Sequence, residues 1–347
     1  MLRADTAILI FDTKPKSDPH FLYGREKELE LLVQYLKQKD WVILLGPRRI
    51  GKTSLAKCAI TKLGYKSIII DARNNNNFEQ ALIKSLGKYE STLSIEAKIE
   101  APHLPVKLGI DYNRKFSSAD LDTVLKKTGR LIILVDEAQW LHNPRRVSML
   151  LAYLYDTYYD KVTFVITGSM IGIMKSIVDP ASRSPLYGRA TTKMEIKRWG
   201  SSTSISFLKS GTREVGLRMD DRTGVIIEEA LDGLPGWLTL FGYNYMHLKN
   251  QNTALTNTIK EAKKIVSDEL ESISDLGLGM KRLIQIMQEL SREPLKFTDL
   301  LDATNFSNAV LSNHLNTLER LGYVEKNTDG KYLINDPILA AYIGEKE

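Results

Sequence analysis

The first half of the chain alternates short apolar runs with segments of helical periodicity. The run at 131–135 has no polar alternation, which is typical of a parallel strand covered on both faces. Further runs at 41–45, 66–71 and 162–167 predict three more strands. Apolar residues at helical spacing predict helices around 29–36 and at 78–88, 118–127 and 148–158. Strands that alternate with helices predict a three-layer α/β domain with a mostly parallel sheet.

The second half of the chain is dominated by helical periodicity. Helices are predicted at 205–215, 223–231, 237–249 and 256–270, with a break at Gly233-Leu234-Pro235. The segment 272–279 contains glycines and is the predicted linker to a small tail. The predicted domains are therefore a core at 1–200, a helical lid at 201–275 and a tail at 276–347. The segment 91–116 predicts no element.

The tail pattern resembles a winged helix-turn-helix. Helices are predicted at 283–290, from Phe297 onwards and at 308–321, followed by a hairpin around Asp329-Gly330. Such a module can bind DNA through its third helix. From Lys281 to the end, however, eight Lys and Arg residues face ten Asp and Glu residues, a net charge of −2. DNA affinity depends largely on phosphate neutralisation, so this charge balance favours the alternative, which is contact with a partner protein or packing against the lid.

Composition indicates a globular protein of more than one domain. The 347 residues are 43% hydrophobic and 26% charged, and such a length exceeds one ordinary core. The net charge is +6, but the excess of cations lies between 182 and 222, near the expected nucleotide site. The single cysteine, Cys58, gives no sign of secretion. No apolar run could span a bilayer and no signal peptide is recognisable, so a cytoplasmic location without membrane contact is expected.

A complete phosphate-binding loop occupies Gly46 to Thr53, between a predicted strand and a predicted helix. Backbone N–H groups of such a loop bind phosphate oxygens, and the helix N-terminus adds a positive dipole end. Lys52 is expected to reach the β- and γ-phosphates and Thr53 to place its hydroxyl on Mg²⁺. The side chains of Arg48 and Arg49 are expected to point to solvent or to the top edge of the sheet, without a catalytic role. The predicted nucleotide-binding residues of this motif are Gly46, Pro47, Arg48, Arg49, Ile50, Gly51, Lys52, Thr53 and Ser54.

Two carboxylates follow the apolar run at 131–135 directly. Asp136 is expected to hold Mg²⁺, largely through water, and Glu137 to orient or deprotonate the water that attacks the γ-phosphate. Thr167-Gly168-Ser169 ends the next strand with small polar residues. A hydroxyl there, such as that of Ser169, could contact the γ-phosphate or the attacking water. The alternative for Ser169, a helix cap, has equal weight.

These motifs together resemble the archaeal ATPase family of the signal-transduction ATPases with numerous domains (STAND), a branch of the AAA+-like P-loop NTPases. The segments that carry the resemblance are 23–28, 46–53, 131–139, 167–169, 185–189 and 233–235. The resemblance implies a P-loop NTPase core, a helical lid and a C-terminal winged helix, with ATP or ADP and Mg²⁺ as ligands. It also places Tyr23, Gly24 and Arg25 near the adenine and brings Pro235 of the lid to the nucleotide.

The resemblance further implies that Arg189 acts on the γ-phosphate, from its own chain or across a subunit interface. A planar permanent charge can stabilise the transferring phosphoryl group, although a surface salt bridge is the alternative. Oligomerisation stays open. The preferred hypothesis is a slow Mg²⁺-dependent ATPase that acts as a nucleotide-controlled switch. The alternatives are a regulatory module that binds nucleotide without significant turnover, and a DNA-binding, replication-initiator-like or remodelling AAA+ ATPase.

Overall fold

A computed structural model describes residues 10–74, 77–88, 124–126, 129–168, 185–186, 189, 191–274 and 279–346. The segment 91–116, most of the predicted helix 118–127 and Ser169 lie outside these residues. Within them, no helix is both long and apolar enough to cross a bilayer.

The core is built on one parallel sheet. Its strands are β1 (Trp41–Leu45), β2 (Lys66–Asp71), β3 (Leu131–Asp136), β4 (Val162–Gly168) and β5 (Thr191–Glu195). They pair in parallel in the order β2-β3-β4-β1-β5. The predicted α/β fold with a mostly parallel sheet is confirmed, and so are the four predicted strands.

Strand β5 was missed by the sequence analysis. It lies at the edge of the sheet beside β1, and of its five residues only Met194 is buried. An edge strand with one buried side chain lacks the apolar run by which the other strands were recognised. The alternation around Met194 and two β-branched threonines were the only available signals.

Helices cover both faces of this sheet. They are α1 (Glu26–Lys37), α2 (Lys52–Leu63), a helical segment at 78–88 and α3 (Pro144–Tyr158). Because successive strand residues point to opposite faces, Val42 and Leu44 of β1 join one hydrophobic cluster while Ile43 and Leu45 join the other. The sheet is therefore the middle layer of three.

The helical lid follows the last strand of the core. It contains α4 (Ser201–Glu214), α5 (Asp221–Leu231), α6 (Pro235–Leu248) and α7 (Gln251–Ser274). Each predicted lid helix is present, but α7 extends through Ser272, which was assigned to the linker. The aromatic and aliphatic side chains of the lid belong to the same buried cluster as one face of the sheet, so lid and core share a hydrophobic interface.

The tail forms the expected winged helix. It contains α8 (Met280–Arg292), α9 (Phe297–Thr304), α10 (Asn308–Leu321), the antiparallel strands β6 (Val324–Lys326) and β7 (Tyr332–Ile334), and α11 (Pro337–Gly344). Helix α11 was not predicted, and it packs between α8 and the long lid helix α7. Tyr342 of α11 hydrogen-bonds Ser267 of α7 at 2.6 Å, so the tail is docked on the lid.

Candidate nucleotide-binding site

A cleft of about 230 Å³ opens at the carboxyl end of β1, where the core meets the lid. The phosphate-binding loop and Glu137 line one part of it, which we call the phosphate end, and Tyr23, Trp199 and Phe207 line the part that we call the base end. The N-terminus of α6, with Pro235, closes one side. A cleft with cationic and apolar ends has the polarity of a nucleotide, whose phosphates and base differ in the same way.

Lys52 is placed at the phosphate end by the turn from β1 into α2. Its side chain is buried, with 5% exposure. The ammonium group donates hydrogen bonds to the carbonyl oxygens of Gly46 (2.9 Å) and Pro47 (2.6 Å). Burial lowers its pKa, so an anion placed beside the ammonium group would favour the charged form. The lysine is held ready for a phosphate.

The side chain of Thr53, in the first turn of α2, contacts that of Asp136, the last residue of β3. The Thr53 hydroxyl lies 2.9 and 3.0 Å from the two carboxylate oxygens of Asp136. Burial raises the pKa of Asp136, and hydrogen bonds from Thr167 and Thr53 offset part of this effect. One hydroxyl and one carboxylate suit Mg²⁺, which keeps several waters and otherwise binds substrate phosphates. The residues present therefore fit the metal that the fold implies.

Thr167 completes this arrangement, and the sequence analysis did not single it out. Strand β4 lies between β1 and β3, which brings Thr167 between the loop and Asp136. Its hydroxyl donates to Asp136 and accepts a hydrogen bond of 3.1 Å from the backbone N–H of Glu137. The polar end of the 162–167 run was the available signal, but it did not distinguish Thr167 from Ser169, because strand order is not visible in the sequence.

Glu137 is held in an unusual backbone conformation. Its φ of 55° lies in the left-handed region, which non-glycine residues adopt mainly at constrained sites. The side chain lines the cleft and accepts a hydrogen bond of 2.6 Å from Gln139. Burial would raise the pKa of Glu137, but the positive charges of Lys52 and Arg48 outweigh it and lower the pKa. The group is therefore a carboxylate at neutral pH.

The base end of the cleft is aromatic. The ring of Tyr23 contacts Trp199 and Phe207 edge-on, with centroids 6.1 and 5.4 Å apart. Arg25 lies beside Trp199 and donates to the carbonyl of Lys197 at 2.6 Å. Tyr23, Arg25, Ser54 and Pro235 all line the cleft, whereas Gly24 sits in the turn that leads into α1, with a φ of 61°.

The expected orientation of Arg48 and Arg49 is wrong. Both side chains are only 13% exposed, and both pair with Glu269 of α7, at 3.2 and 2.7 Å. The guanidinium of Arg49 also stacks 4.1 Å from the ring centroid of Trp237 and pairs with Asp336 of the winged helix at 3.3 Å. Arg48 lies over the ring of Tyr323. The loop thus points these two charges at the lid and tail, whose carboxylates come from distant parts of the chain.

Asp336 connects this group of contacts to the local fold of the tail. Its carboxylate accepts from the Trp237 indole N–H at 2.9 Å and from the backbone N–H of Ile338 at the start of α11. The carbonyl of Arg49 accepts from the N–H of Gly236 at 2.9 Å. We call Arg48, Arg49, Trp237, Glu269, Tyr323 and Asp336 the arginine cluster. It joins the loop, lid and winged helix at one point.

Arg189 makes its contacts with residues outside the nucleotide cleft. It pairs with Asp156 of α3, at 2.8 Å from Nε, and donates to the carbonyl of Pro185. It does not line the nucleotide cleft.

Such a loop, facing a buried aspartate across a parallel sheet, defines a P-loop nucleotide-binding protein. A family model described as an ATPase domain predominantly from Archaea matches residues 22–241. The chain belongs to this family. A second model, described as a bacterial regulatory protein of the arsR family, matches residues 281–326, within the winged helix. No curated protein sequence matches the chain.

Solved structures agree with this assignment. A Walker-type ATPase of Pyrococcus abyssi is 26% identical, with a TM-score of 0.81 over 96% of this chain and 99% of that chain. ORC2 of Aeropyrum pernix is 14% identical, with a TM-score of 0.55 over 97% and 98% of the two chains. Cdc6p of Pyrobaculum aerophilum is 17% identical, with a TM-score of 0.52 over 97% and 96%. The last two similarities concern the fold alone.

Proposed function

We propose that this protein is a slow, Mg²⁺-dependent ATPase that acts as a nucleotide-controlled switch. ATP binds in the cleft between core and lid, and its hydrolysis changes how the winged helix is held. The observation that carries the switch is the arginine cluster, because it connects the phosphate-binding loop to the tail through ion pairs.

The proposed mechanism assigns one task to each side chain at the phosphate end. Lys52 and the loop amides bind the phosphates, while Thr53 and Asp136 hold the metal. A bound Mg²⁺ would neutralise charge that develops on the phosphate oxygens. Glu137, kept as a carboxylate, accepts a hydrogen bond from the attacking water and orients it. Thr167 fixes the position of both carboxylate residues, since its hydroxyl contacts each of them.

The switch follows from competition for the two loop arginines. In the structure they are neutralised by Glu269 and Asp336. A triphosphate would place several negative charges beside the same loop and attract these cations. Such coupling is reciprocal. A protein whose arginine cluster is weakened should therefore bind ATP more tightly, and bound ATP should weaken the contacts that hold the tail.

Glu269→Gln is expected to raise ATP affinity about 5- to 10-fold, a coupling of roughly 1–1.4 kcal/mol. The substitution keeps the shape of the side chain and removes the charge that faces both arginines. Hydrogen exchange across α9 to α11 should rise without nucleotide, and ATP should raise it in the unmodified protein. Isothermal titration and exchange mass spectrometry measure the two effects.

Glu271→Gln is the matched control, because this exposed residue lies on the same helix, two positions further on. It should leave both measurements unchanged. If ATP leaves tail exchange unaltered in the unmodified protein, the switch is wrong, even where ATP is bound and hydrolysed. Binding without measurable turnover would favour the regulatory module instead.

DNA binding by the tail is a second candidate, favoured by the surface of α10. Asn308 and Asn313 are exposed there, and amide side chains can hydrogen-bond base edges. Duplex DNA is expected to bind at low salt with a Kd of roughly 1–100 µM, because the tail has few cations to neutralise phosphates. Asn313→Ala should weaken this binding, whereas Asn252→Ala on the exposed face of α7 should not. Fluorescence anisotropy would measure the DNA affinity of both variants. Absence of binding at low salt would instead favour a tail that contacts a partner protein.

Arg189 keeps its proposed role at the γ-phosphate, but it would first have to leave Asp156. Whether it would then act in its own chain or in a neighbour depends on the oligomeric state. For Ser169 the two alternatives keep equal weight: contact with the γ-phosphate or the attacking water, and a helix cap.

A further inference from the structure

The chain that precedes the first helix lines the nucleotide cleft. Residues 10 and 12–16 contribute to its wall. We call Ile10 to Lys16 the strap. No motif marked it in the sequence, and the proposed mechanism gives it no task.

The strap is anchored in the lid by Phe11, which is completely buried. Two helical glycines make room for its ring. A Cβ atom at Gly211 of α4 would lie 2.2 Å from Cζ of Phe11, and one at Gly242 of α6 would lie 2.1 Å from Cδ1. Real side chains do not approach so closely, so the anchor needs glycine at both positions. Glycine costs stability within a helix, and the cost here is offset by burial of a phenylalanine.

The strap is also tied to both walls of the cleft by backbone hydrogen bonds. The N–H of Ile10 donates to Glu214 of the lid at 2.9 Å. At the other end, the N–H of Lys16 donates to the hydroxyl of Ser54, directly after the phosphate-binding loop, at 3.1 Å. The strap therefore spans from lid to core.

The anchor is in contact with the base end of the cleft. The ring of Phe11 packs edge-on against Phe207, with centroids 5.4 Å apart, and Phe207 in turn contacts Tyr23 and Trp199. The ring that fixes the strap thus packs against the aromatic group that would face a base. Asp12 and Thr13, next to the anchor, supply polar groups to the cleft wall.

We propose that the strap closes over the base and ribose of the bound nucleotide and supplies affinity that depends on the base. This inference rests on the proposed nucleotide site and assigns its base end to residues 10–16. The phosphates would be held by the loop independently of the strap, whereas the nucleoside would be held only when Phe11 is seated.

Gly242→Ala tests this directly, because the added methyl group displaces Phe11 while alanine favours the helix. ATP affinity is expected to fall about 10-fold or more, and Mg²⁺–tripolyphosphate, which has no base, is expected to bind within about 2-fold of the unmodified protein. Phe11→Ala should give the same pattern from the other side of the contact. Gly344→Ala is the control, since a Cβ there makes only ordinary contacts.

Hydrogen exchange provides a readout that a purely structural role would not change. ATP should protect residues 10–16 in the unmodified protein, and tripolyphosphate should not. The proposal is overturned if the variants lose affinity for ATP and for tripolyphosphate equally, or if they keep both affinities. It is also overturned if ATP leaves hydrogen exchange in the strap unchanged. Failure of the unmodified protein to bind either ligand would instead contradict the proposed function itself.

Discussion

Glu137→Gln is expected to lower ATP turnover about a thousand-fold, in the range typical for loss of a general base. Glutamine keeps the size of the side chain and can still hydrogen-bond, but it cannot accept a proton from water. The effect should fall on kcat, because Glu137 acts on the water and the phosphates are held by other groups. Steady-state phosphate release measures turnover, and isothermal titration measures ATP binding, which should persist.

Glu30→Gln is a suitable control, since it makes the same chemical change at an exposed position of α1. Its turnover should equal that of the unmodified protein. Unchanged phosphate release in Glu137→Gln would remove this residue from the mechanism. Loss of ATP binding together with turnover would show that the carboxylate supports the site rather than the chemical step.

Lys52→Ala is expected to weaken ATP binding roughly 100-fold, because a charge-assisted contact of about 3 kcal/mol is lost from a buried position. The same ammonium group now holds the carbonyls of Gly46 and Pro47. Its removal therefore also loosens the loop that would bind phosphate. Tripolyphosphate should lose affinity together with ATP, in contrast to the pattern expected for strap variants.

Lys62→Ala on the same helix is the control for loss of one positive charge. Lys62 is exposed in the last turn of α2, and its removal should change ATP affinity by less than about 2-fold, since exposed charges are screened. Thermal unfolding of each variant separates loss of binding from loss of fold. If Lys52→Ala bound ATP as tightly as the unmodified protein, the phosphate end of the cleft would be misassigned.

Local patterns were sufficient for most of the fold. Apolar runs located strands β1 to β4, and helical periodicity located the lid helices and the first three tail helices, because burial of one face imposes a period on the sequence. The helix at 308–321 was predicted with its observed bounds. Strand β5 and α11 were missed: the strand buries one residue, and the apolar α11 has no polar face to reveal its period.

Some residues of the candidate site are likewise visible in local sequence patterns, and others are not. Lys52 and Thr53 belong to one contiguous motif, and Asp136 and Glu137 end one recognisable run, so sequence alone could nominate them. Thr167 could not be chosen over its neighbours without the order of the strands. The strap could not be nominated at all, since it acts through a ring seated between two glycines from separate helices.

The sequence by itself determined the class of this protein, because the phosphate-binding loop, the acidic strand end and their flanking elements are written locally along the chain. Only the tertiary structure decided where Arg48 and Arg49 point. Their partners, Glu269 and Asp336, lie more than 200 residues away along the chain, and no periodicity connects such distant charges. Packing of lid and tail against the loop brings them together and gives the nucleotide site a physical connection to the winged helix.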